Sequence, residues 1–215
     1  MPLILSLLLV MIAYLLGSIP TGYLAGRYLK GIDLRAHGSG GTGATNVLRT
    51  LGTGPAIAVL LIDVLKGAIA VALVKGFELV FPTEIPALWQ SWLVTATALA
   101  AIVGHSKSIW INFTGGKSVA TSLGVLLVMN PLVASGTLGS FLMIMAIFRI
   151  VSLGSLVGAI AVNILMILLH QPLPYILFSG VAGVYVIVRH QSNIERLLAG
   201  TEPKIGQKLQ QETES

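Results

Sequence analysis

Val119-Ala-Thr-Ser-Leu-Gly-Val-Leu-Leu-Val-Met-Asn130-Pro131-Leu-Val-Ala-Ser-Gly-Thr-Leu-Gly-Ser-Phe-Leu-Met-Ile-Met-Ala-Ile-Phe148 contains no charged side chain. An uncharged apolar run this long belongs in a bilayer, where one spanning helix takes about 20 largely apolar residues. It is too long for a single span. Asn130-Pro131 divides it, because proline has no N–H to give a helix and crowds the preceding turn. We read two helices, Val119–Met129 and Leu132–Phe148. The first is short for a span, and is either partly re-entrant or covered by its neighbours.

Similar apolar segments lie on both sides: Leu3–Ala25, Pro55–Val74 and Leu88–Val103 before it, Ser152–Leu169 and Pro174–Val188 after it. The expected fold is therefore all-α, a polytopic integral membrane protein of about seven transmembrane helices. Composition agrees. Of 215 residues 55% are hydrophobic and 10% charged, with a mean hydropathy of +0.90. Soluble domains carry about 25% charged residues, so the solvent of this chain is lipid. No Lys or Arg precedes the first segment and no small-residue cleavage site follows it, so it reads as a retained span and not a signal peptide. We expect one membrane domain, 1–206, and a polar, disordered tail, 207–215.

The basic residues give an orientation. Arg27, Lys30, Arg35 and Arg49 lie after the first span, Lys107 and Lys117 after the third, Arg149 after the fifth, and Arg189, Arg196, Lys204 and Lys208 after the seventh. The intervening turns are poor in them. Cytoplasmic loops collect Lys and Arg, so the N-terminus is expected outside and the C-terminus in the cytoplasm. The net charge of +5 is scattered and never forms a run, which argues against nucleic acid. Without cysteine there is no disulfide, thiolate nucleophile or Cys-based metal site. The four histidines (37, 105, 170, 190) are far apart in sequence, and no metal is expected.

Three polar segments fall on the expected cytoplasmic side. In His37-Gly-Ser39-Gly40-Gly-Thr-Gly-Ala-Thr45-Asn46-Val-Leu-Arg49, glycines let the backbone approach a ligand, successive N–H groups can cradle an anion, and Arg49 can clamp a phosphate. It is neither a Walker loop nor a dinucleotide fingerprint. In Asn112-Phe-Thr-Gly115-Gly116-Lys117-Ser118, backbone N–H groups and an ammonium precede a helix, which is an anion site in its own right. In Arg189-His190-Gln-Ser-Asn193-Ile-Glu-Arg196, helical spacing puts His190, Asn193 and Arg196 on one side. Each has a plainer reading: a connecting loop, an interfacial lysine, a solvated helix. Asp63 and Lys66, three apart inside the second span, read first as a mutual ion pair facing the bundle interior. Ser152 and Ser155 open the sixth helix as caps or site residues. No His-x4-Asp, the paired signature of soluble acyltransferases, occurs in the chain.

Taken together and in this order, Gly38-Ser-Gly-Gly-Thr-Gly-Ala-Thr-Asn-Val-Leu-Arg49, Gly104-His105 through Gly115-Gly-Lys-Ser-Val-Ala-Thr121, and His190 through Asn193-Ile-Glu-Arg-Leu-Leu-Ala-Gly-Thr-Glu202 resemble the three signatures of the acyl-phosphate:glycerol-3-phosphate acyltransferase (PlsY) family. The resemblance covers nearly the whole chain. It implies a seven-helix enzyme of the bacterial inner membrane, with a cytoplasmic-facing site. It implies transfer of a fatty acyl group from acyl phosphate to the 1-position of glycerol 3-phosphate, giving lysophosphatidic acid and phosphate, the first step of phospholipid synthesis. No cofactor is implied; the partners are the two substrates, membrane lipid and an enzyme that produces acyl phosphate. The oligomeric state stays open, with a monomer as one reading. The positions carried over are Ser39, Arg49, Lys117, His190 and Asn193 as catalytic residues, and Gly40, Thr45, Asn46, Gly115, Gly116, Ser155 and Glu202 as substrate-binding ones. Three positions of the second signature and one of the first depart from it. The family usually has Asn at Gly41, Pro at Ser108, Lys at Thr114 and Gly at Ser118. These bear on substrate affinity more than on reaction type. The competing class is a membrane transporter of a small organic anion; no inverted repeat supports it, and the polar motifs cluster on one side.

Overall fold

The computed structural model describes residues 1–207, which are helical apart from loops and one isolated bridge pairing Ser108 with Thr114. Ten α-helices follow in order: α1 (Pro2–Ser18), α2 (Thr21–Lys30), α3 (Ala44–Leu51), α4 (Thr53–Val80), α5 (Ala87–Ser106), α6 (Val119–Met129), α7 (Pro131–Phe148), α8 (Val151–Leu168), α9 (Leu173–Arg189) and α10 (Gln191–Leu198). Of the tail expected to be disordered, all but Gln207 lies outside the described residues.

All seven expected apolar segments form helices, but their lengths differ from seven equal spans. Five helical stretches are long and apolar enough to cross a membrane: Pro2–Lys30, α4, α5, α7 and α8. α9 joins them as a sixth when taken with α10 across a 61° bend. α6 has 11 residues and falls short. The break at Asn130-Pro131 lies where the sequence puts it. Pro131 opens α7, and the Asn130 side chain caps it by accepting from the N–H groups of Leu132 and Val133, both at 3.0 Å.

Two boundaries differ from expectation. The first segment, read as continuous from Leu3 to Ala25, breaks at Ile19-Pro20, since Pro20 has no N–H to continue the ladder. The second, read as ending at Val74, continues to Val80 because Lys75 does not stop it. The Lys75 ammonium reaches across to the carbonyls of Val128 (2.8 Å) and Met129 (3.3 Å), which the end of α6 leaves unpaired. The Gly-rich stretch also holds α3, a short helix that the sequence reading leaves as loop; it buries Val47 against Leu34, Ala56 and Val59.

Lipid tails are as apolar as leucine, so helices in a membrane associate by close backbone packing at small residues. Two reciprocal glycine contacts do this. A Cβ on Gly67 of α4 would overlap the Thr121 carbonyl of α6, and one on Gly124 of α6 would overlap the Val64 carbonyl of α4. In the same way Gly17 of α1 meets the Ala101 carbonyl of α5, and Gly104 of α5 meets the Tyr14 carbonyl of α1. The central core (Val71, Val94, Ile102, Val125, Met166, Phe178) fills the space among α4, α5, α6, α8 and α9.

Gly124→Leu should force α4 and α6 apart and cost about 1–3 kcal/mol, the usual penalty of overpacking. Thermal unfolding in detergent should show a lower Tm for it. Gly76→Ala, on α4 with no atom within 4 Å of the added carbon, should leave Tm unchanged; equal behaviour of the two would contradict the packing account.

Candidate functional site

The three polar segments meet at one end of the helices. The first loop is organised by Asn46, which is buried. Its Nδ2 donates to the carbonyls of Leu34 (3.2 Å), His37 (2.9 Å) and Gly41 (2.8 Å), and its Oδ1 accepts from the Ser39 N–H (2.9 Å). Gly38 and Gly40 turn the chain around this amide with φ of +60° and +70°. Arg35 ties this loop to the second. It forks onto Asp33 at 2.7 Å and reaches the Ile111 carbonyl and Thr114 Oγ1, each at 3.2 Å.

The second loop carries Lys117. Gly115 and Gly116 lie against His105, whose carbonyl accepts the Gly116 N–H at 3.2 Å; a Cβ on Gly115 would overlap that carbonyl. The Arg189 guanidinium donates to the Gly116 carbonyl at 3.2 Å. Ser118 has a left-handed φ of +63°, uncommon for a residue with a side chain. It is held there by its hydroxyl, which donates to the Ile102 carbonyl at 2.7 Å and lies 2.6 Å from the Ser106 hydroxyl.

The third segment provides a buried carboxylate. Glu202 Oε1 accepts from Asn193 Nδ2 (2.6 Å) and Ser152 Oγ (2.7 Å), and Oε2 from Arg196 Nε (2.7 Å). Asn193 in turn accepts from the Lys117 ammonium. One line of contacts thus joins the second loop to α8 and α10. Burial would raise the Glu202 carboxyl, but the hydrogen bonds from Asn193, Ser152 and Arg196 outweigh it and hold it below the ordinary glutamate value. Burial pushes the Lys117 ammonium down to about 8, opposed by Glu202 and helped by the cations Arg196, Arg189 and Arg49. His190 closes the end of α9. Its Nδ1 donates to the Val186 carbonyl at 2.7 Å, and burial first of all pushes it down to about 4. The ring is neutral in the neutral pH range, with Nε2 left as an acceptor.

Ser39, Thr45, Asn46, Arg49, Gly116, Lys117, Ser155, His190, Asn193 and Glu202 all border one cavity of about 520 Å³. Gly40 and Gly115 do not; they shape the backbone behind it. Among the described residues Arg49 donates to no protein acceptor, so it is a cation facing the cavity without a partner. Away from these loops the wall becomes apolar, formed by Leu126, Phe141, Val162 and Phe178. The arrangement fits an amphiphile, with an anion at the cationic end and a hydrocarbon chain between the helices. Ser152, Arg189 and Arg196 also support the polar end: Ser152 takes the site position that the sequence leaves open beside a cap, Arg196 stays on the side of His190 and Asn193 as helical spacing expects, and Arg189 is the one to which the sequence gives no role. Asp63 and His105 also border the cavity. Asp63 forms the expected ion pair with Lys66, at 2.8 Å and fully buried.

Comparison with known proteins gives a consistent result. The model of the family described as "Glycerol-3-phosphate acyltransferase" matches residues 7–200. The glycerol-3-phosphate acyltransferase of Rippkaea orientalis is 66% identical over 97% of this chain and 96% of its own. That of Crocosphaera subtropica is 63% identical over 99% of both. A crystal structure of PlsY (YgiH), an integral membrane glycerol 3-phosphate acyltransferase in its glycerol 3-phosphate form, superposes with a TM-score of 0.85 at 40% identity, covering 94% of this chain and 96% of that one. Its lysophosphatidic acid form gives 0.82 at 39% identity, covering 94% and 95%.

An unpartnered Arg49 beside Lys117 predicts that inorganic phosphate binds the unliganded protein and raises its Tm in a concentration-dependent way, by linkage. Arg49→Ala should abolish most of that rise; an undiminished rise would place the anion elsewhere.

Proposed function

The chain belongs to the glycerol-3-phosphate acyltransferase family, and on that premise we propose that it moves a fatty acyl group from acyl phosphate to the sn-1 hydroxyl of glycerol 3-phosphate. The products are lysophosphatidic acid and phosphate. That it is a multi-pass membrane glycerol-3-phosphate acyltransferase follows from the family; the donor and the position acylated are our reading. One observation supports it most directly: cations and polar side chains from three segments surround the polar end of a cavity whose other end is apolar.

The reaction brings two anions together, and like charges in one site need several cations. In our reading Lys117 and Ser39 hold the acyl-phosphate headgroup, while Arg49, His190 and Asn193 hold glycerol 3-phosphate; the Gly116 N–H, expected as a further donor, goes to the His105 carbonyl, and Gly115 lies behind the cavity wall. Donors aimed at the acyl carbonyl would stabilise the oxyanion as it forms, which is often the greatest single contribution to acyl transfer. Acyl phosphate already has a good leaving group, so no strong protein nucleophile is needed. Asn46 shapes the loop through its own hydrogen bonds, Glu202 fixes Asn193 and neutralises Arg196, and Thr45 and Ser155 line the substrate path. The acyl chain lies between the helices. The catalytic unit is the single membrane domain 1–206, downstream of an enzyme that makes acyl phosphate. The distribution of Lys and Arg supports seven spans in the bacterial inner membrane, N-terminus outside, with the site facing the cytoplasm.

Purified protein given palmitoyl phosphate and glycerol 3-phosphate in detergent should release phosphate and form lysophosphatidic acid; a transporter would do neither without a sealed vesicle. Arg49→Ala and Lys117→Ala should each lose at least about 10²-fold in rate. Since Lys117 is charged below about 8 and neutral above it, kcat/KM should fall as pH rises through that value. In Lys117→Arg the fall should move to higher pH, because a guanidinium stays protonated; an unmoved limb would assign it to another group.

A further inference from the structure

Past the end of α5 the chain shows large apolar side chains where a water-facing turn would carry polar ones. Trp110 is 62% exposed, Phe113 56% and Ile109 46%. All three lie in the turn between α5 and the Gly115–Lys117 loop, at the end of the helices where the polar segments meet. Lys107, also exposed, stands beside them in the chain. An exposed apolar cluster of this kind marks contact with a partner or with a membrane.

The turn is held by its own hydrogen bonds and by two neighbours. Ser108 pairs with Thr114, its N–H donating to the Thr114 carbonyl at 3.1 Å, and the Phe113 N–H donates to the Ser108 carbonyl at 2.8 Å. Asn112 and Phe113 take φ of +58° and +55°, a conformation uncommon for residues with side chains. Arg35 donates to the carbonyl of the buried Ile111 at 3.2 Å, and the Tyr14 hydroxyl of α1 donates to the Lys107 carbonyl at 2.9 Å. The exposed side chains are thus displayed by a bonded backbone and not by a loose loop.

Two features favour lipid over a soluble protein as the cover of this cluster. The first is spacing. The chain has 3 tryptophans. Trp89 and Trp92 lie in the first turns of α5, and Trp110 lies just past its other end. The 20 residues of α5 measure about 30 Å at 1.5 Å per residue, which is the thickness of the hydrocarbon layer. Tryptophan collects at both boundaries of that layer, and α5 carries it at both ends. The second feature is chemistry. The Lys107 ammonium suits anionic headgroups, and Tyr14, with an apolar ring and a polar tip, sits at the same level.

We propose that Ile109, Trp110 and Phe113 insert into the boundary between headgroups and acyl chains of the leaflet on the side of the site, with Lys107 among the phosphates of that leaflet. The partner is a lipid surface, and the proposal holds whatever the acyl donor is. The turn runs directly into Gly115–Lys117, so anchoring it also fixes the depth of the candidate site, at the level of the lipid headgroups.

Trp89→Phe combined with Trp92→Phe leaves Trp110 as the sole tryptophan. In nanodiscs of phosphatidylcholine and phosphatidylglycerol, its emission should be blue-shifted from that of the unfolded protein. Lipid with a nitroxide on a shallow acyl carbon should quench it strongly, lipid labelled near the chain end less, and aqueous acrylamide little. Acrylamide quenching equal to that of the unfolded protein, with none from lipid, overturns the proposal and makes the turn a docking surface for a soluble protein. Emission insensitive to both quenchers overturns it in favour of contact with a second copy of the chain. Should the double variant fail to fold, the absence of cysteine from the chain allows a nitroxide on the thiol of Trp110→Cys or Phe113→Cys. Stronger relaxation of that label by oxygen than by a water-soluble nickel chelate supports insertion, and the reverse sinks it. None of these readouts needs turnover, so failure of the acyl-transfer reading would leave them standing.

Discussion

A bilayer offers no hydrogen bonds. Every N–H and C=O in the hydrocarbon layer must therefore be satisfied by the protein, and irregular backbone is confined to the ends of helices or to protein-lined cavities. This constraint shapes the molecule. The glycine-rich loop, the Gly115–Lys117 loop and the turn from α9 into α10 are the irregular stretches of the polar face, and they close on one another. Asn46 bonds to four backbone groups of its own loop, Arg35 links that loop to the Ile111–Thr114 turn, and Arg189 links that turn's continuation to α9. The cavity is the space left where these self-satisfied loops meet a bundle that is apolar below them.

Electrostatics then divides the cations into two groups. Some are neutralised by the protein: Lys66 by Asp63, Arg196 by Glu202, Arg35 by Asp33. Arg49 is not, and Lys117 contacts only a neutral amide, that of Asn193. Buried unpaired charge is unfavourable, which is why burial depresses Lys117. A phosphate would relieve that penalty, so the same feature that weakens the empty site strengthens anion binding. Glu202 keeps the balance from tipping further. Without its carboxylate, Arg196 would be a further cation with no carboxylate partner beside Lys117, Arg49 and Arg189.

Much of this is legible in the sequence, and what is not has identifiable causes. Apolar length and Asn130-Pro131 reveal the helices because the membrane demands both. Glycine and cation clusters mark the candidate site because anion recognition calls for them. The break at Pro20 is obscured by apolar residues that continue on both sides of it. α3 is obscured by the glycines that precede it. The Asp63–His105 contact lies beyond any spacing rule, since it depends on how α4 packs against α5. Helical spacing joins Asp63 to Lys66, and that ion pair does form; the face Asp63 turns toward His105 depends on tertiary packing.

The departures in the second signature also become intelligible as a set. Where a proline is usual, Ser108 donates its N–H to the Thr114 carbonyl at 3.1 Å, a bond proline cannot make, and its hydroxyl to the Ser18 carbonyl at 2.5 Å. Where a lysine is usual, Thr114 accepts from Arg35, so a cation still reaches that point, from another loop. Where glycine is usual, Ser118 takes the left-handed conformation and holds it with a hydroxyl bonded to α5. Each change adds a side-chain bond to a neighbouring element, and at Ser118 that bond holds a conformation that glycine would adopt freely. The loop's shape therefore rests less on its own backbone and more on α1, α5 and Arg35. Any exchange among these positions has to be judged with its partners, because a proline or glycine restored alone would remove a hydrogen bond that the rest of the loop now uses.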